Sequence, residues 1–475
     1  MLLESDSRSL EIFPDLQKII LLDRIKQFFF LLYREQIERM QSNLKGVWIV
    51  AIAGLLLLYT YAIRVVLSTM VGDLISYYRV DALDISFLGV IYLVLYSVGQ
   101  IPAGAIIDRF GIRLVLVLSA ILNSIGSILF ILCHKFWLAQ IGYGLIGIGS
   151  LSVLIACLKL ASYWFSARYL ALVTSLVITL AMIGGVIGQA PVVLLNRLVG
   201  WQGSFFWFAV IAFFLAILIL LFVSEKDAPF YMNKVSLKHD KRTTFGTILR
   251  RICSRQIIII SIYGGLMFGP ILVFTSLWGP RFLEVSAYLS PAVAAVIISM
   301  IFLAWAIGGP ILARFSDQFE RRRPFLISSA LICLILVSCL VYCHIRSPFI
   351  LGCLFFLYGF CCSGFAISYA SITEISSPSN RGLSLGFMNT VNMLGAIILQ
   401  PLIGGILDKW QLPDLQNTGS HLFSFKGYQI AFSLFVVSYL IAALLSFLIK
   451  ESFPSSSKVS LDLISNKRSE GKELS

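Results

Sequence analysis

Apolar residues in this sequence come in runs of about twenty, and that run length decides the fold class. A helix rises 1.5 Å per residue, so about twenty apolar residues cross the roughly 30 Å of hydrocarbon in a bilayer. Twelve such runs occur, near 47–71, 85–106, 114–133, 136–160, 170–195, 203–223, 256–278, 290–313, 325–343, 349–372, 383–406 and 427–449. Hydrophobic residues make up 58% of the chain and charged residues only 13%, against about 25% charged in soluble domains. The expectation is an all-α membrane protein with twelve transmembrane helices in two six-helix bundles.

The boundaries follow from the breaks. Residues 47–223 form one bundle and 256–449 the other, joined by the basic, polar segment 224–255 and followed by a tail over 450–475. Residues 1–46 hold seven basic and seven acidic residues, with Ile19, Ile20, Ile25, Phe29, Leu32 and Ile37 at roughly helical spacing. That pattern fits an amphipathic helix on the membrane surface. The alternative is an extension outside the functional unit, with translation beginning at Met40. No cleavable signal is expected at this N-terminus.

The formal charge of +13 is topological. With both termini in the cytosol, cytosolic segments collect 28 Lys and Arg and the outer loops seven. Basic residues accumulate on the cytosolic side of membrane proteins, so this count sets the orientation and nucleic acid is not needed to explain the charge. The nine cysteines lie in or beside apolar runs without metal-ligand spacing, and packing is their expected role. Cys343 and Cys353 flank one short outer loop, but a disulfide is not expected there. No metal cluster, nucleophile–base pair or phosphate loop is found, so neither an enzyme nor a cofactor is expected.

Two internal repeats divide the chain. The polar island Gly104-Ala-Ile-Ile-Asp108-Arg109-Phe-Gly111-Ile-Arg113 is echoed by Ala313-Arg-Phe-Ser-Asp317-Gln-Phe-Glu-Arg321-Arg322-Arg323, 209 residues later at the aspartate. Met182-Ile-Gly184-Gly-Val-Ile-Gly-Gln189 aligns with Met393-Leu-Gly395-Ala-Ile-Ile-Leu-Gln400 at an offset of 211. Two six-span halves in parallel repeat resemble the major facilitator superfamily of transporters. Gly104-x-x-x-Asp108-Arg109-x-Gly111-x-Arg113 resembles its signature loop between helices 2 and 3; the second copy has Ala313, Gln318 and Glu320 at anchor positions. The resemblance covers about residues 45–450.

Local texts resemble a bacterial branch related to lysosomal dipeptide transporters and organic-acid permeases. They are Leu158-Lys159-Leu-Ala-Ser-Tyr-Trp164-Phe165, Leu277-Trp278-Gly279, Gly386-Phe-Met-Asn389 and Gln400-Pro401-Leu-Ile-Gly404-Gly-Ile-Leu-Asp408. Departures count against a drug-efflux mechanism: Tyr143 stands where the superfamily often has arginine, and a Gly-x-x-x-Gly-Pro in helix 5 is only approximated by Gly184, Gly188 and Pro191. The resemblance implies a multi-pass protein of a bacterial inner membrane, monomeric, with helices 1, 4, 7 and 10 lining the cavity. It also implies that Gly104, Asp108, Arg109, Gly111, Arg113, Asp317, Arg321 and Arg322 gate the cytosolic side. Gly104 is expected to let two helices approach closely, and Asp108 to sit at a helix N-terminus or pair with arginine.

Arg64 is the most informative single residue. An arginine inside a span normally faces a watery cavity or a partner. Its planar fork suits a substrate carboxylate; the alternatives are snorkelling to the outer surface or pairing with Asp73. Lys159, near the cytosolic end of helix 4, is a second anion contact or a snorkelling residue. Gln189 and Gln400 at equivalent places, together with Asn389 and Asn392, either contact substrate or tie helices together. Tyr92, Tyr96, Tyr263 and Tyr369 are candidate cavity liners.

The leading reading is alternating-access transport of a small anionic or zwitterionic solute bearing a carboxylate. Efflux of hydrophobic compounds and a non-translocating receptor are the alternatives. No Asp or Glu lies mid-span and His134, His239, His344 and His421 all lie in loops; only Glu374 and Asp73 approach the pathway. Proton symport needs a buried titratable group, so facilitated diffusion or exchange is expected. Uptake down a fixed solute gradient should therefore persist after an uncoupler is added, and its collapse would establish proton coupling instead.

Overall fold

The computed structural model describes residues 44–132, 134–225, 228, 254–376, 381–412 and 423–453, without the side chains of 101, 167, 168, 171, 381 and 382. The surface helix expected within 1–46, most of the 224–255 segment and most of the tail lie outside the described residues. The first half comprises α1 Leu44–Thr69, α2 Ala82–Phe110, α3 Ile112–Leu132, α4 Phe136–Trp164, α5 Ala167–Ile187 and α6 Ala190–Phe222. The second comprises α7 Arg255–Ala287, α8 Pro291–Gln318, α9 Arg323–Tyr342, α10 Pro348–Ile375, α11 Arg381–Asp408 and α12 Phe425–Ser446. Eleven of these are long and apolar enough to cross a membrane; in α5 the described apolar stretch, Leu172–Ile187, is shorter.

The expected span 170–195 is broken. Helix α5 stops at Ile187, Gln189 takes non-helical angles (φ −102°, ψ −103°), and the chain re-enters helix at Ala190 with a proline in the first turn. Pro191 has no N–H to donate to the preceding turn, which favours a break there. Gly200 (φ 73°) then turns the chain again and leaves residues 201–222 for the sixth crossing. Helix α7 is also irregular: it contains Pro270, and a widened π turn follows over Phe274–Trp278.

The repeat in the sequence is a repeat in packing. In the first half α5 packs on α1, α4 on α2 and α3, and α6 on α3; in the second, α11 packs on α7, α10 on α8 and α9, and α12 on α9. The aligned glycines make the first of these contacts. A Cβ on Gly184 would stand 2.2 Å from Leu58 O of α1, and one on Gly395 would stand 2.2 Å from Gly265 O of α7. No side chain fits there, so the backbones meet directly and the packing gains dispersion contacts, a major source of helix association in lipid. Between the halves, α2 packs on α11 and α5 on α8. Large apolar side chains cover the outside, among them Leu198, Phe213, Phe214 and Leu221 of α6.

Valine at either glycine must force two backbones apart, and overpacking of this kind costs about 1–3 kcal/mol or more. Gly184→Val and Gly395→Val should each lower the midpoint of thermal unfolding in detergent, by similar amounts because the two sites are equivalent. A variant that melts with the parent would show that the close approach is not needed.

Candidate functional site

Arg64 lies at the seam between the halves, 6% exposed. Its guanidinium is 5.4 Å from the Tyr96 ring of α2 and 5.8 Å from the Tyr61 ring. Nη2 reaches Met393 Sδ of α11 at 3.8 Å. Tyr96 and Met393 stand near the middle of their helices, which places the charge well inside the bundle. The ring faces attract the cation, but Nε has no hydrogen-bond partner. Arg64 does not pair with Asp73, whose Oδ2 accepts from Asn196 Nδ2 at 2.9 Å. Snorkelling is excluded by the burial. Arg64, Thr60, Tyr61, Tyr92, Tyr96 and Ser150 line a narrow recess.

A polar chain continues across the seam one turn further along α2. Asn389 Nδ2 donates to Gln100 Oε1, Tyr369 Oη donates to Asn389 Oδ1 at 3.0 Å, and Asn392 Nδ2 donates to Tyr369 Oη at 2.9 Å. Asn389, Asn392, Tyr96 and Tyr369 are thus gathered close to Arg64. Tyr263 is not: its hydroxyl donates to Leu326 O at 2.8 Å, away from the seam. It is a packing residue, because α7 turns that face towards α9.

Gln189 and Gln400 lie beyond Arg64, towards the end opposite the signature loops. Gln189 Nε2 donates to Ser68 Oγ of α1 at 3.1 Å and to Thr275 O of α7 at 2.8 Å. Gln400 Nε2 donates to Ser276 Oγ at 3.1 Å and its amide rests on Gly89 of α2. Both therefore converge on the π turn of α7 and join the halves. Asp408, a residue that the sequence reading passed over, adds a third tie: its carboxylate accepts from Ala82 N at 2.8 Å and Leu83 N at 3.0 Å. An anion at the N-terminus of α2 satisfies free backbone donors and the helix dipole together. Asp408 closed a quoted motif, but nothing local announced a partner more than 300 residues away.

At the signature-loop end the arrangement differs from expectation. Asp108 pairs with Lys159 Nζ at 2.6 Å, not with arginine, and Lys159 also donates to Gly104 O at 3.3 Å. Lys159 is therefore engaged within its own half. A Cβ on Gly104 would meet nothing within 4 Å, so the close approach expected there is absent in this conformation. Arg109 is exposed beside the Phe110 ring, and Arg113 donates to Leu220 O. Gly111 (φ 85°) makes the turn, and Glu225 accepts from Ile112 N behind it.

The second loop, weaker as text, is the more tightly bonded. Arg322 donates to Asp317 at 2.6 Å and to Glu374 of α10 at 2.8 Å, and its side chain is only 9% exposed. Burial works against the Arg322 charge, yet hydrogen bonds and charge from Glu374 and Asp317 more than offset it, holding the group above the usual arginine range. Glu320, where the first copy has Gly111, is forced into the left-handed region (φ 52°), a strain of about 1–2 kcal/mol for a residue with a Cβ. Glu451 accepts from Arg322 N and Arg323 N, and Arg323 reaches Phe447 O. Glu225 and Glu451 thus play the same part in the two halves. Arg321 is exposed.

The ties between halves described here lie at the middle and the opposite end, while Asp108 and Asp317 side chains are 60% and 62% exposed. Among the described residues, the hydrogen bonds between the halves lie away from the signature-loop end. Two pseudo-equivalent six-helix halves meeting at a buried polar seam have the architecture of a membrane solute carrier. Sequence comparison agrees: the Major Facilitator Superfamily profile matches residues 50–368 and 280–470. The chain belongs to that superfamily and is a multi-pass membrane transporter.

Its relatives carry varied solutes. It is 23% identical to a choline/ethanolamine transporter of Danio rerio, over 70% of this chain and 74% of that one. A probable galactarate/D-glucarate transporter of Escherichia coli is 23% identical, over 76% of this chain and 86% of its own length. A lysosomal dipeptide transporter of Mus musculus is 24% identical, over 64% and 68%. The chain spans 64% of the length of another relative, an MFS-type transporter of Caenorhabditis elegans. Among solved structures, a bacterial homologue of the human lysosomal transporter Spinster, inward-facing and unoccupied, superposes with TM-score 0.67 at 15% identity, covering 85% of this chain and 97% of that one.

Asp408→Ala leaves two helix N–H groups without acceptors, which costs about 1–3 kcal/mol. A membrane-impermeant maleimide should then label Ser276→Cys several-fold faster than in the otherwise native protein. An unchanged labelling rate would remove Asp408 from the closed seam.

Proposed function

We propose that the protein carries a small carboxylate-bearing solute by alternating access, with Arg64 as the carboxylate contact. The observation that carries this reading is a buried guanidinium, at the seam of the two halves, that forms no ion pair among the described residues. An intramembrane cation is costly, and a paired, hydrogen-bonded carboxylate is the strongest compensation available to it. Tyr96, Asn389 and the Tyr369 chain are in place to hold the rest of the solute. In this reading residues 47–223 and 256–449 rock about the seam. Gln189, Gln400 and Asp408 close one end, and the charges around Asp108, Arg109, Arg113, Asp317, Arg321 and Arg322 close the other in the opposite conformation. The signature-loop end faces the cytosol of a bacterial cell, and the carrier acts as a monomer without proton coupling. Lys159 is left out of the solute site, because Asp108 already holds it.

Two relatives named for galactarate or dipeptide transport handle carboxylate-bearing solutes, which supports the reading. The relative named for choline and ethanolamine handles a cation, and a cation beside Arg64 would be repelled. The test is a thermal-shift panel on the purified protein, since a ligand of the folded state raises its stability by about 2.7 kcal/mol at a hundred times Kd. Carboxylates should raise the melting point and choline should not. Arg64→Ala should abolish the shift while leaving the ligand-free melting point close to the parent's. Arg64→Lys should keep only part of it, since an ammonium cannot make the two parallel bonds of a guanidinium. Carboxylate shifts that survive Arg64→Ala would remove Arg64 from the site.

A further inference from the structure

The second half presents an aromatic wall to the seam. Phe268 of α7, Trp305 of α8 and Phe365 of α10 come from three different helices and lie nearly parallel. Phe268 and Trp305 have centroids 5.6 Å apart at 10°, Trp305 and Phe365 5.5 Å at 20°, and Phe268 and Phe365 5.3 Å at 30°. The position of Trp305 on its helix shows where the wall faces. Phe302, one turn earlier, rests against Gly185 of the other half, while a Cβ on Gly309, one turn later, would meet nothing within 4 Å. Residues three and four apart share a helix face. Trp305 therefore stands on the seam face of α8, where closed packing gives way to open space.

Two further facts join this wall to Arg64. The Phe365 ring is 5.9 Å from the Tyr369 ring, and Tyr369 is bonded through Asn389 to Gln100, one turn along α2 from the Tyr96 that shelves Arg64. The Trp305 indole Nε1 is buried and has no hydrogen-bond partner, although buried indoles normally find one. The seam thus offers a cation and an unpaired N–H on one side, an unpaired indole N–H on the other, and stacked rings between helices. No carboxylate pairs with Arg64 among the described residues.

Resting on the Arg64 reading, we infer that the solute is an amphipathic monocarboxylate. Its carboxylate sits on Arg64 and an apolar, ring-bearing body lies against Phe268, Trp305 and Phe365. A hydroxylated diacid fits poorly, because its second carboxylate and hydroxyls would be desolvated against rings that offer one donor. A quaternary ammonium fits poorly too. An aromatic cage surrounds a cation with ring faces, whereas these three rings are nearly parallel and Arg64 would repel the charge.

The test uses the purified full-length protein and four probes: phenylacetate, acetate, D-glucarate and choline, with benzyl alcohol as a control for unspecific apolar binding. Phenylacetate should stabilise the protein at a concentration at least about tenfold lower than acetate or glucarate, the scale expected for burying an aromatic ring. Choline and benzyl alcohol should have no effect. Trp305→Ala should bring phenylacetate down to the acetate level and leave the acetate response itself unchanged; Trp305→Phe, which keeps the stack, should retain most of the preference. If Trp305→Ala does not fold, Phe365→Leu reads the same loss.

Equal responses to phenylacetate and glucarate, both lost in Arg64→Ala, would overturn the aromatic wall and leave the carboxylate reading standing. A phenylacetate response that survives Arg64→Ala, a choline response, or no response to any carboxylate would overturn both.

Discussion

Moving a charged side chain to the middle of a bilayer costs about 2.5–3.5 kcal/mol even on lenient scales, and the molecule is arranged around avoiding that cost. Of 37 Lys and Arg residues, Arg64 and Lys159 alone fall inside the apolar runs. They resolve the cost differently. Lys159 reaches the end of its helix and pairs with Asp108 in the same half. Arg64 pairs with no acid among the described residues and is held between two tyrosine rings and a methionine sulfur. Sulfur is a weak acceptor and the rings satisfy only part of the charge, so the guanidinium keeps bonding capacity to spare at the place where the two halves face each other.

The halves are built alike, and the likeness runs deeper than the repeated text. Glu225 follows α6 as Glu451 follows α12, and each caps the start of the third helix of its half. Arg113 and Arg323 each return to a carbonyl near the end of the sixth. Each half is thereby laced shut at its own signature-loop end, by bonds that do not cross the seam. In the proposed alternation, such lacing would keep a half rigid while leaving it free to move against its partner, because none of these bonds crosses the seam.

Fold was legible in the sequence because hydropathy and run length are local. The spans, the six-and-six division and the aligned glycines at 184 and 395 all rest on residues that announce their environment unaided. The break at Gln189 was harder, since apolar residues continue through it and only Pro191 hinted at it. Candidate site residues were legible where a charge stood in the wrong medium, as with Arg64. They were illegible where meaning came from a distant partner. Asp408 looks like an ordinary loop residue until α2 ends against it, and Glu225 and Glu451 lie just past apolar runs amid unlike neighbours. The second loop misled in the other direction. Its second glycine is replaced by Glu320, yet the backbone keeps a positive φ there and Arg322 binds two acids.

Gly104 carries a different lesson. It opens the signature loop, and in this conformation a methyl group there would touch nothing. A carrier that alternates has two native packings, and each position answers to the more demanding of the two. A glycine idle in one packing is free to be an axle in the other. Its fitness is then recorded in the rate of the cycle and is silent in the melting curve of the packing described here. Residues of this kind separate what holds a transporter together from what lets it turn over.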